Sequence, residues 1–181
     1  MTRFRALSYL PLNRSGLVFL VVLPTLVGFD WGTKELARGL PLGAEVPVIP
    51  GWLSFVHAEN PNAAFSMPVP LPMIVAFGVV ALIALGIAVW RLPADARLRA
   101  AALGAIGAGA LGNLVDRLGD GTVTDMVRMY TESPSLAPWL IAQFGTATWP
   151  IWNVADAALL SGVALWILRD ATEPEGEPAE A

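Results

Sequence analysis

The sequence contains no cysteine, and its only histidine is His57. Disulfide staples, thiolate metal ligation and a cysteine nucleophile are therefore excluded, as is any site built on two imidazoles. Lysine is as scarce, with Lys34 the single example. Charged residues make up only 14% of the chain against 55% hydrophobic ones, too apolar a balance for an ordinary soluble domain. The net charge of −4 argues against nucleic acid as a partner. Much of the acid lies at the far end, where Asp170, Glu173, Glu175, Glu177 and Glu180 sit among Pro, Gly and Ala, so residues 169–181 read as a disordered acidic tail. No cofactor and no metal is called for.

What the chain does have is long charge-free runs. From Val69 to Trp90 no side chain is charged; at about 1.5 Å of rise per residue such a run covers the roughly 30 Å hydrocarbon core of a bilayer. Four spans are expected in a single membrane domain of residues 1–168, over about 15–38, 69–90, 99–118 and 149–168. The first follows Arg3, Arg5 and Arg14 but lacks a small-residue cleavage site, and Asp30 extends its helical pattern, so an uncleaved span is expected rather than a signal peptide. Arg91, Arg97 and Arg99 cluster between spans two and three, whereas loops 39–68 and 119–148 carry only Arg128. The basic segments belong in the cytoplasm, which puts both termini there and the two long loops outside. Glu45 to His57 reads as short strands, and Leu136 to Phe144 as a short interfacial helix. Gly104, Gly107 and Gly109 suit close helix approach in span three.

An ionisable group inside a span costs roughly 2.5–3.5 kcal/mol, so each polar cluster needs a reason. Asp30 and Lys34, four apart, share a helix face and can neutralise each other, which a structural ion pair would explain. Asn113, Asp116 and Arg117 share a turn, followed by Val123-Thr124-Asp125; Arg117 can pair with Asp116 or Asp120, or reach a substrate carbonyl. Taken alone, this is also what a capped helix end with solvated charges looks like. Asn153 and Asp156 share a face with nothing basic nearby in sequence. A buried, unpaired carboxyl is driven to protonate, and a protonated carboxyl beside an ionised one is the state aspartyl catalysis uses. Ser-His and metal hydrolysis are poorly supplied, and Asp30 would hold Lys34 charged, the wrong state for a general base.

In this order, Asp30 to Lys34, Val48-Ile49-Pro50-Gly51, Asn60-Pro61-Asn62-Ala63-Ala64-Phe65-Ser66, Gly112-Asn113-Leu114-Val115-Asp116-Arg117 with Val123-Thr124-Asp125, and Asn153-Val154-Ala155-Asp156 resemble the signature of lipoprotein signal peptidase, signal peptidase II. The resemblance implies a four-helix polytopic membrane fold of the all-α class, with a small β-sheet cradle and an interfacial helix on the outer side. It implies an aspartic endopeptidase that removes the signal peptide of diacylglyceryl-modified prolipoproteins by cutting before the lipidated cysteine. Asp125 and Asp156 would be the catalytic dyad, and Asn60, Asn113, Arg117 and Asn153 would position substrate or dyad, with Asp30, Lys34 and Asp116 supporting the site. The implied setting is a bacterial inner membrane with the site facing the periplasm, a monomer among membrane lipid, sensitive to globomycin-type cyclic peptides. The chain departs from the pattern at Asn62, where the family has Gly, at Met126, where it has Phe, and at Glu59, where a basic residue is common. The segment between Asp125 and Asp156 is also longer. Two other readings stay open: a proton-coupled transporter using Asp30, Asp116 and Asp156 as a relay, and a catalytically silent lipopeptide-binding relative.

Overall fold

The computed structural model describes residues 13–63 and 67–172. Arg3 and Arg5, the motif residues Ala64, Phe65 and Ser66, and the acidic tail beyond Thr172 lie outside the described residues. Five helices and three strands follow in the order α1 (Arg14–Arg38), β1 (Glu45–Ile49), β2 (Leu53–Asn60), α2 (Leu71–Trp90), α3 (Arg97–Gly119), β3 (Val123–Met129), α4 (Leu136–Phe144) and α5 (Val154–Thr172).

Helix α1 is opened by Asn13, whose side-chain oxygen accepts the Gly16 amide at 2.7 Å, satisfying one of the donors a helix start leaves free. Ser15 then ties this end to the α2–α3 connection, its amide bound to the Ala94 carbonyl and its hydroxyl to Pro93. Helix α2 carries no charge and buries no residue, with Phe77, Val80 and Ile83 turned outward. A surface of that kind suits hydrocarbon, where the helix satisfies its own backbone groups. Helices α1, α2 and α3 are each long and apolar enough to cross a membrane.

Helix α3 is the hub, packed against α1, α2 and α5. Its glycines serve different neighbours: a Cβ at Gly104 would press on Val22 of α1, one at Gly107 on Leu23 of α1 and Leu85 of α2, and one at Gly109 on Ala155 and Leu159 of α5. Gly162 answers from α5, where a Cβ would meet the Ala102 carbonyl oxygen at 2.7 Å. Such contacts bring α3 and α5 together backbone to backbone.

The strands form one antiparallel sheet in the order β1-β2-β3. Asn60 pairs with Val123 and Ala58 with Asp125 across β2 and β3. The segment before α5 is drawn to the free side of β3: the Trp152 carbonyl accepts the amides of Met126 and Val127, and the Trp152 amide returns a bond to Val127. The helix expected over 149–168 therefore begins later, at Val154. It continues through Thr172, four residues beyond the expected span.

Candidate active site

The longest-range polar network joins α1, α3, α5 and the sheet. Lys34 is 1% exposed and its ammonium lies 2.7 Å from Asp30 Oδ2 and 2.8 Å from Asp116 Oδ2. Asp30 passes the contact on, its other oxygen accepting the Ala155 amide in the first turn of α5 at 2.8 Å. Asp116 is held twice more, by Arg38 Nη2 at 2.8 Å and by the Thr124 amide of β3 at 3.3 Å. Two acids and two bases thus neutralise one another where an isolated charge would be costly. The Asp30–Lys34 pair expected on one face of α1 is present, extended by Asp116 and Arg38.

Beside this cluster sit the two carboxylates singled out from the sequence. Asp125 lies on β3, not on a helix end, and is 3% exposed. It accepts Asn60 Nδ2 at 3.1 Å and Asn153 Nδ2 at 2.7 Å, one on each oxygen. Asp156 lies in the first turn of α5 and is half-buried rather than enclosed; it accepts Asn113 Nδ2 at 2.8 Å and the Asn153 amide at 3.3 Å. The Asp156 amide in turn bonds Asn153 Oδ1 at 2.9 Å. This reciprocal exchange is a capping box, which fixes both where α5 starts and where Asp156 points. Asn113 and Asn153 also touch, Nδ2 of Asn153 donating to Oδ1 of Asn113 at 3.1 Å. The two carboxyls are therefore linked through two carboxamides. Burial, and then the negative charge of Asp156, push the Asp125 carboxyl up to about 7, against the lowering effect of its Asn60 and Asn153 donors.

Arg117 pairs with neither Asp116 nor Asp120 as first considered. Its guanidinium donates to the carbonyls of Asn113 at 3.1 Å and Asn62 at 3.0 Å, so it braces the turn after β2. Asn60 closes that turn, its Oδ1 accepting the Asn62 amide. Three asparagine carboxamides thus donate to the two carboxyls, and one acid raised towards neutrality near a second is what an acid–base pair uses.

The profile of the family described as "Signal peptidase (SPase) II" matches residues 22–171. The chain belongs to the signal peptidase II family. It is 36% identical to the lipoprotein signal peptidase of Geobacter metallireducens, over 83% of this chain and 88% of that one. The lipoprotein signal peptidase of Geobacter sulfurreducens is 39% identical, over 80% and 85%. A bacterial membrane enzyme solved by the in meso method shares the fold at a TM-score of 0.71 and 24% identity, over 90% of this chain and 94% of that one.

Two of the positions at which departures were expected, Glu59 and Met126, are engaged locally. Glu59 accepts the hydroxyls of Thr122 at 2.5 Å and Thr124 at 3.1 Å and faces His57 Nε2 at 3.1 Å. Burial opposes its ionisation, but the bonds from Thr122, His57 and Thr124 outweigh that and hold the carboxyl below its ordinary value. Met126 is fully buried with its amide on Trp152. Arg38 escaped the sequence reading, although its i+4 spacing from Lys34 puts it on the Asp30–Lys34 face. The Ala155 and Thr124 amides escaped it too, since a backbone donor leaves no residue-type signal. Asn153 and Asp156 were expected to share a face within the span; the capping box was missed because the helix was expected to start before Asn153, whereas it starts at Val154.

Proposed function

We propose that the chain is an intramembrane aspartic endopeptidase that removes the signal peptide of diacylglyceryl-modified prolipoproteins, with Asp125 and Asp156 as its catalytic pair. The observation that carries this reading is the carboxamide bridge: Asn113 and Asn153 join the two acids, and Asn60 adds a third donor. One carboxylate takes a proton from a water whose oxygen attacks the scissile carbonyl carbon, while the other carboxyl gives its proton to the carbonyl oxygen. As the tetrahedral adduct collapses the C–N bond breaks, the proton taken from water goes to the departing nitrogen, and one hydroxyl of the adduct returns its proton to the carboxylate that had donated, re-forming the carbonyl and resetting the dyad. Because the pair shares its proton, the two steps belong to the dyad rather than to fixed residues.

The same reading has α5 as a fourth span beside α1, α2 and α3, and both termini in the cytoplasm of a bacterial inner membrane. The sheet and α4 then lie on the periplasmic side, and the scissile bond sits near the interface while the acyl chains stay in lipid. The cut falls before the lipidated cysteine, and globomycin-type peptides compete for the site. A carboxylate relay for proton transport has less support, because Asp30 and Asp116 are engaged by Lys34 and Arg38. The test is cleavage of a diacylglyceryl-modified precursor by detergent-purified protein. Wild type is expected to cut it and leave unmodified precursor intact, while Asp125→Asn and Asp156→Asn lose at least about a thousandfold in kcat. Folded wild type that binds the lipidated precursor without cutting it would make the silent-relative reading the correct one.

A further inference from the structure

We propose that Lys34 is a positioning residue that holds the direction of the Asn113 hydrogen bond serving Asp156 and keeps it set while the dyad exchanges its proton. The inference rests on the proposed peptidase reading. It follows from which groups can only donate. An ammonium has no acceptor, so the atom of Asn113 that meets Lys34 Nζ at 3.3 Å must be the carboxamide oxygen. That choice turns the Asn113 NH₂ to Asp156. The same oxygen can only accept, so Asn153 must offer it NH₂, and the second hydrogen of that NH₂ reaches Asp125. What remains of Asn153, its oxygen, is then committed to the Asp156 amide. A donor-only group at each end, Lys34 on Asn113 and the Asp156 amide on Asn153, therefore holds both carboxamides in one sense.

An ionised Asp156 would orient Asn113 unaided, because a carboxylate accepts only. During turnover, however, each carboxyl passes through a protonated state in which it can donate, and its hold on the amide direction lapses. Lys34 stands outside that exchange, neutralised by Asp30 and Asp116. A flipped Asn113 would set NH₂ against the ammonium and NH₂ against the Asn153 NH₂, so the lysine penalises the flip in every protonation state of the dyad.

The decisive variant is Asp30→Asn/Lys34→Met. It removes the i, i+4 charges together, leaves Asp116 paired with Arg38, and keeps an oxygen at position 30 for the Ala155 amide. With a folded protein, kcat is expected to fall at least about tenfold while KM stays within about twofold, the signature of a loss after binding. Lys34→Arg, also donor-only, should keep more of kcat than Lys34→Gln. A folded double variant with wild-type kcat would overturn the proposal, as would Lys34→Gln matching Lys34→Arg. If wild type itself cuts nothing, the peptidase reading is what fails. The lysine's role is then read from isotope-labelled side-chain amides: Asn113 gives one set of signals from acid to alkaline pH with Lys34 present and several without it, while Asn153, held by the Asp156 amide, keeps one set in both; identical Asn113 signals in both proteins would overturn it.

Discussion

Asp125 is the residue at which stability and chemistry are coupled most directly. Its carboxyl is pushed up to about 7 by burial and by Asp156, well above the roughly 3.9 of a free aspartate. A folded state that holds this proton more tightly than the unfolded chain gains stability below the unfolded value and loses it as pH rises through the folded one. Asp125→Asn removes that dependence. Thermal melting of wild type and variant should therefore differ little at about pH 3.5 and favour the variant by several degrees near pH 8. On the proposed reading the alkaline limb of the kcat/KM profile should follow the same proton, falling as pH passes through about 7, since the dyad then has none to give to the carbonyl oxygen. Equal melting shifts at both pH values would contradict the assignment.

Among the elements, the α3–α5 seam is the least tolerant. A methyl at Gly162 would meet the Ile106 amide nitrogen and side chain at 2.8 Å, and backbone on α3 cannot step aside without moving the helix. Gly162→Ala is expected to destabilise by about 1–3 kcal/mol and to lower activity by shifting α5, which carries Asp156. Gly28→Ala and Gly86→Ala are the controls, because a Cβ there meets nothing within 4 Å and should be neutral or slightly stabilising. Denaturation in detergent by circular dichroism ranks the three; comparable losses at all of them would remove the seam's special status. The strands of the first outer loop were legible from their Val, Ile and Phe content, but β3 was not. Its Val-Thr-Asp-Met run is too short to announce a strand, and it becomes one because β2 and the Trp152 carbonyl supply its partners. For the same reason no element could be assigned to Asp125 from the sequence, and its support is a sheet.

For the molecule as a whole, the absence of cysteine turns from an exclusion into an opportunity. Single cysteines at Gly43, beside the sheet, and at Ala96, at the opposite end of α3, give a topology test in an otherwise thiol-free chain. A membrane-impermeant maleimide added to intact spheroplasts is expected to label the first and to reach the second only after lysis; the reverse pattern would invert the proposed orientation. Helical segments were readable because apolar runs of sufficient length have few alternatives. The acids could be named one by one, since charge within such runs is costly. Which acid meets which base depended on contacts between α1 and α3 that no local pattern encodes, as Asp116 with Lys34 and Arg38 shows.

The bond from Asp30 to the Ala155 amide gives the chain an order of events during synthesis. Helix α1 leaves the ribosome with Asp30 and Lys34 already able to pair within it, so it can enter lipid as a nearly neutral rod. Its second partner, Asp116, arrives only with α3, and the amide that Asp30 finally caps arrives last of all, together with Asp156. On the proposed reading, the catalytic pair is therefore incomplete through most of the chain's own translation, until α5 docks and brings Asp156 to Asp125.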